Sequence, residues 1–120
     1  MQPKTPAALV QSYVARVQQR ELEALLSLYE PDALFVPKPH VHVRGHAALR
    51  EGFEELFAIE PVLTVHIAEE HQATDLVLLA NDWTLEGTTP DGRAVARSGR
   101  SAVVLRRGDD GSWRIVMDRL

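Results

Sequence analysis

Asp118 closes an alternating segment, Trp113-Arg114-Ile115-Val116-Met117-Asp118, near the end of the chain. On a strand, Trp113, Ile115 and Met117 share one face, and Arg114, Val116, Asp118 and Leu120 share the other. A carboxyl enclosed by apolar side chains binds its proton more tightly, which suits acid–base work. The same carboxyl paired with an arginine, Arg100 or Arg114, serves structure alone. Asn81 shares a strand face with Leu79, Trp83 and Leu85, and a buried amide there needs a partner: a ligand, a backbone group or a water. Trp83 either stacks on a ligand or belongs to the core. Tyr13 and Tyr29 point their hydroxyls either into a pocket or at water. Phe53 and Ser101 complete the candidate lining, and Arg100 is carried as a further candidate, although simple alternation puts it outside, opposite Ser101, Val103 and Leu105.

Other chemistries find less support. His40 and His42, two residues apart, share a strand face and could seed a metal site. Neither a carboxylate nor a further histidine is fixed beside them by sequence, so a surface cluster is the simpler reading and no metal is expected. His66 and His71 read as exposed strand positions, and Glu69-Glu70 as a solvated strand end. With no cysteine, thiolate nucleophiles, thiolate zinc sites and disulfides are excluded. No glycine-rich phosphate loop occurs, so no cofactor is implied.

These residues must be positioned by helices first and strands after. Thr5 followed by Pro6 reads as an N-cap with proline at the first helical position. Leu9, Val10, Tyr13, Val14 and Val17 recur at helical spacing. A second short helix carries Leu22, Leu25, Leu26 and Tyr29, and Pro31 is expected to end it. Leu34-Phe35-Val36 is a short strand halted by Pro37 and Pro39, with Val41 and Val43 in a second extended piece. Gly45 opens a third helix with Leu49, Phe53, Leu56 and Phe57 on one face, closed by Pro61. From Val62 the period becomes two, which predicts strands over 62–72, 76–88, 93–106 and 113–119. Turn-rich joints between them, such as Thr89-Pro90-Asp91-Gly92, make an antiparallel meander. Strands this long must bend, and Ser98-Gly99 is the expected bulge. Three N-terminal helices packed on one face of a curved antiparallel sheet make an α+β cone with room inside for a ligand.

The composition agrees with one domain over residues 1–120. Apolar residues make up 45% and charged residues 25% of the 120, ordinary values for a globular chain. The net charge is −4 without a basic stripe, so no nucleic-acid partner is expected. Leu76 to Ala80 is the longest apolar run, far too short for a membrane span. Met1-Gln2-Pro3-Lys4-Thr5-Pro6 has no apolar stretch after its lysine and does not read as a signal peptide, so a cytoplasmic location is expected.

This order of elements, with particular residues in place, resembles the nuclear transport factor two-like superfamily, and within it the SnoaL-like branch with its ketosteroid isomerase relatives and SgcJ/EcaC-type proteins. Tyr13, Leu28-Tyr29-x-x-Asp32-Ala33, Arg44-Gly45-x-x-Ala48-Leu49 and Gly111-x-Trp113-Arg114-Ile115-x-x-Asp118 carry the match, together with the run Asn81 to Gly87 and Ser98-Gly99-Arg100. The resemblance implies the cone, and it places Asp118 inside, where some cyclase and epoxide-hydrolase relatives keep an aspartate. Ketosteroid isomerase works with an aspartate base and with a tyrosine and a protonated aspartic acid as oxyanion donors. Tyr13 falls at the tyrosine position, but the base position is Pro37 and the second acid falls near Ser101. With two of the three roles vacant, steroid-type isomerisation is rejected.

Three readings of function follow. The first is a pocket domain that binds a small apolar or amphipathic molecule without the isomerase base. The second is a small cofactor-independent enzyme of cyclase, hydratase or hydrolase type, using Asp118 with Tyr13 or Asn81 as donor. The third is a homodimeric assembly domain. Apolar residues on both faces of the late strands, Val103 and Leu105 against Ala102 and Val104, favour a homodimer under all three.

Overall fold

A computed structural model describes residues 2–120; Met1, the first residue of the segment tested above for a leader, lies outside the described residues. Among those residues the chain forms α1 (Pro6–Gln19), α2 (Leu22–Leu26), β1 (Tyr29–Lys38), β2 (Val41–Arg44), α3 (His46–Phe57), β3 (Val62–Ala73), β4 (Leu76–Thr88), β5 (Ala94–Arg107) and β6 (Trp113–Arg119). The six strands make one sheet in the order β2-β1-β6-β5-β4-β3. The meander from β3 to β6 is antiparallel throughout, as short hairpins demand.

Local chemistry accounts for the helices. The Thr5 hydroxyl accepts from the Ala8 N–H at 3.0 Å, and Pro6 occupies the first turn, so α1 starts where its cap and proline require. Gly45 precedes α3 at a φ of 87°, a left-handed conformation open to glycine at little cost. Leu9, Val17, Leu25, Leu49 and Phe53 from the helices pack against Val77, Leu79, Leu105 and Ile115 from the sheet in one buried cluster.

Four expectations are corrected. Tyr29 is not on the second helix; α2 ends at Leu26, and Tyr29 opens β1. Pro31 and Pro37 do not end their elements, whereas β1 stops at Lys38, before Pro39. Pro31 lies in a register shift between Tyr29 and Leu34 on the β6 side, and Pro37 in another between Phe35 and Lys38 on the β2 side. Irregular pairing is where a strand tolerates a residue that cannot donate. The sheet is mixed, because β1 runs parallel to β6.

Ser98-Gly99 carries no bulge either; β4 and β5 pair without interruption from Leu76↔Arg106 to Thr88↔Ala94. Gly99 faces Trp83 directly, and a Cβ there would lie 3.0 Å from the indole Cζ2. The glycine makes room for an aromatic ring, which is the other reason for glycine inside a strand. The bulges fall at Ala68 on β3 and at Val116 on β6, each an extra residue in the ladder. The second of these decides the site.

Candidate functional site

A cavity of about 170 Å³ lies between α1, α3 and the concave face of the sheet. Alternate residues of β4, Leu79, Asn81, Trp83 and Leu85, form its wall, as period-two spacing requires. Leu9, Val10 and Tyr13 close it from α1, Leu56 from α3, and Leu63 and Val65 from β3. Ser101 and Val103 of β5, Ile115 and Asp118 of β6, and Leu120 complete the lining.

Strict alternation grouped Asp118 with Arg114 and Val116 and set Ile115 on the opposite face. The extra residue at Val116 changes the phase of the strand. Ile115 and Asp118 therefore both line the cavity, while Met117 between them turns outward and is 40% exposed. Asp118 faces inward, and Ile115 is a lining residue that simple parity misses.

Asp118 is 4% exposed, and its Oδ2 accepts a hydrogen bond from the Tyr29 hydroxyl at 2.7 Å. The Tyr29 and Tyr13 hydroxyl oxygens are 3.3 Å apart. Burial pushes the Asp118 carboxyl up to about 6, against the opposing effect of the Tyr29 bond. Burial, and then the neighbouring Asp118, push both tyrosines far above the ordinary phenol range, so both keep their protons. Tyr29 has one proton to give. When Asp118 is ionised that proton goes to the carboxylate, and Tyr13 completes the chain by donating to the Tyr29 oxygen.

The arginine pairings considered for Asp118 do not form. Arg114 lies 3.9 Å from the Asp110 carboxylate. Arg100 donates from Nε to Asp82 at 2.8 Å on the outer face of the sheet, with Glu69 at 3.7 Å. Its selection as a ligand-binding candidate is corrected accordingly, since it is exposed and on the far side of the sheet from the cavity.

Two other candidates stand behind the lining. Tyr29 and Phe53 are buried against Tyr13, with ring centroids 6.3 and 6.2 Å from it and 5.9 Å from each other. This aromatic group fixes the Tyr13 ring and, through the Tyr29 hydroxyl, the Asp118 carboxyl. Asn81 and Ser101 line the cavity as paired residues across β4 and β5, and Asn81 Oδ1 is buried without a partner. Trp83 Nε1 is likewise buried and unpartnered. Pro37, the residue at the isomerase base position, lies outside the lining.

Among the described residues no group of three or more His, Cys, Asp or Glu side chains is placed to hold a metal ion. His40 and His42 are exposed, and His46 instead meets the Tyr29 carbonyl oxygen at 3.0 Å. Among the same residues no helix is long and apolar enough to cross a membrane.

The family model of the SnoaL-like domain matches residues 10–116, from α1 into β6. The chain belongs to the SnoaL-like family. Solved structures share the fold of this SnoaL-like domain at low identity. A ketosteroid isomerase-like protein from Erwinia carotovora atroseptica is 17% identical at a TM-score of 0.80, covering 94% of this chain and 89% of its own. A nuclear transport factor two-like protein with a cystatin-like fold from Novosphingobium aromaticivorans is 17% identical at 0.78, covering 92% and 75%. A candidate calcium/calmodulin-dependent protein kinase II association domain from Xanthomonas campestris is 21% identical at 0.76, covering 94% and 81%. A comparison with curated proteins returns no match.

Proposed function

We propose that this SnoaL-like domain encloses a small, mostly apolar molecule and presents Asp118 to it. The observation that carries the reading is an apolar cavity lined by Asn81, Ser101 and Asp118, all buried, on neighbouring strands. Convergent polar groups in an apolar recess are the usual makings of a ligand site. The test is a screen of small fragments by amide chemical shifts, run on the native chain and on Val65→Trp, which fills the cavity from β3. Shifts are expected at cavity residues of the native chain and are expected to vanish in the filled variant. Shifts confined to the outer sheet face, or none at all, would sink the reading.

One observation favours a second reading, an enzyme using Asp118. Its carboxyl is held by a tyrosine and free of any arginine, and a group that titrates at about 6 can both give and take a proton near neutrality. Asp118→Asn is then expected to abolish turnover of a bound molecule while its binding persists. Steroid-type isomerisation stays outside both readings, since Pro37 cannot serve as a base.

The assembly proposal is a homodimer through the outer sheet face. Leu78, Val104 and Met117 sit side by side across β4, β5 and β6, and Leu78 and Met117 are 44% and 40% exposed. Such a contiguous apolar strip supports burial against a second copy. Light scattering should give twice the chain mass, falling to the monomer in Leu78→Asp; a monomeric native chain refutes it.

A further inference from the structure

The cavity also restricts which molecules it can take, an inference that rests on the pocket reading above. Size sets the first limit. The space is about 170 Å³, and a dry apolar cavity of about 150 Å³ holds a benzene ring. One ring with a substituent fits within it; a four-ring skeleton would have to extend through the mouth or displace the walls.

Charge sets the second limit. No Lys, Arg or His lines the cavity, and its ionisable groups are Asp118 and Tyr13. An anionic ligand would lie beside a desolvated carboxylate with no counter-charge, an arrangement that a buried site does not tolerate.

The polar end sets the third limit. Asn81, Ser101 and Asp118 are 5%, 6% and 4% exposed. Asn81 and Ser101 are paired across the ladder, and Asp118 is paired with Val103, the next inward residue of β5 after Ser101. Tyr29 engages one carboxylate oxygen of Asp118, while Asn81 Oδ1 has no partner. An ionised carboxylate and an amide oxygen accept only, and the serine hydroxyl can donate. A group that donates and accepts at once completes this set, and a hydroxyl is the smallest that does.

We infer that the cavity selects a single-ring-sized molecule carrying a hydroxyl and no negative charge, its body against Leu79, Trp83 and Leu85 and its hydroxyl among Asn81, Ser101 and Asp118. Cyclohexanol is a probe of this chemistry, with cyclohexanecarboxylate and a four-ring steroid alcohol as the contrasts. Each is titrated into the full chain at pH 7.5, following the two indole N–H signals by NMR. Cyclohexanol should shift the Trp83 signal saturably and leave that of the core residue Trp113 in place. Cyclohexanecarboxylate should bind at least about tenfold more weakly, and Asn81→Leu should weaken cyclohexanol by about tenfold. Ser101→Ala is the second variant, expected to weaken the same probe should Asn81→Leu fail to fold.

Each adverse outcome identifies a different error. Steroid alcohol binding in the absence of cyclohexanol binding overturns the size limit and leaves the pocket reading standing. Equal binding of the carboxylate overturns the charge limit, and cyclohexanol affinity unchanged in both variants overturns the hydroxyl assignment. Failure of every probe overturns this inference and the pocket reading together.

Discussion

Asp118 combines a desolvated carboxyl, which favours the proton, with a Tyr29 hydrogen bond, which favours the charge. Removing the hydroxyl alone therefore has a predictable sign. In Tyr29→Phe the stabilised ionic form loses its donor, so the Asp118 carboxyl should titrate above its native value of about 6. Stability should fall by roughly 1–3 kcal/mol when measured above that value, where an ionised buried group is left unsatisfied. Carboxyl chemical shifts followed against pH read the first effect, and denaturant unfolding reads the second. An unchanged or lower titration point would mean that the Tyr29 bond does not hold the charge. Tyr13, which lines the cavity in front of Tyr29, should also lose order at its hydroxyl, because its acceptor disappears.

At the level of strands, glycine and bulges decide which side chains reach the interior. Gly99 lies under the Trp83 ring, and an added Cβ would stand 3.0 Å from Cζ2 and 3.2 Å from Cε2. Gly99→Ala should tilt the indole into the cavity, at a cost of about 1–3 kcal/mol from overpacking. The expected readout is a shifted Trp83 fluorescence and weakened fragment binding in a folded chain; native binding would show that the ring gives way elsewhere. The long, strongly patterned elements are legible in the sequence: the capped α1, the glycine-led start of α3 and the meander all lie within a residue or two of their expected bounds, whereas α3 ends at Phe57, short of Pro61. Their signals are local, consisting of a cap, a turn or an alternation of side chains. Tyr29, the phase of β6 and the parallel edge were not legible, because bulges and non-local pairing have no fixed sequence mark. Asp118 was placed inward on a face with Arg114 and Val116, and only the extra residue at Val116 shows why Ile115 is its true neighbour in the cavity. The prolines at 31 and 37 read as stops in the sequence, where the irregular ladder that accommodates a missing donor has no mark.

For the whole molecule, keeping Asp118 in an apolar interior makes stability depend on pH in a sense opposite to that of a salt-bridged carboxylate. The group titrates at about 6 in the folded chain, against 3.8 for an exposed aspartate. Below the lower value both states hold the proton, and the burial costs nothing in charge. Between the two values the folded chain keeps a proton that the unfolded chain has lost, so stability falls as pH rises through this window. Above the upper value both states are ionised and the full penalty is in place, on the order of 3 kcal/mol. Asp118→Asn preserves the shape and an acceptor for Tyr29 but cannot ionise. It should therefore be the more stable protein at pH 7.5, by up to that amount, and lose its advantage as the pH approaches 4. The difference between the two unfolding free energies, measured at both pH values, cancels the titration of the carboxylates that the proteins share. An advantage that does not change with pH would show that Asp118 is hydrated in solution and that the cavity admits water freely. The predicted difference instead identifies a carboxylate retained at a cost in stability, the pattern expected of a group kept for what it does to a bound molecule.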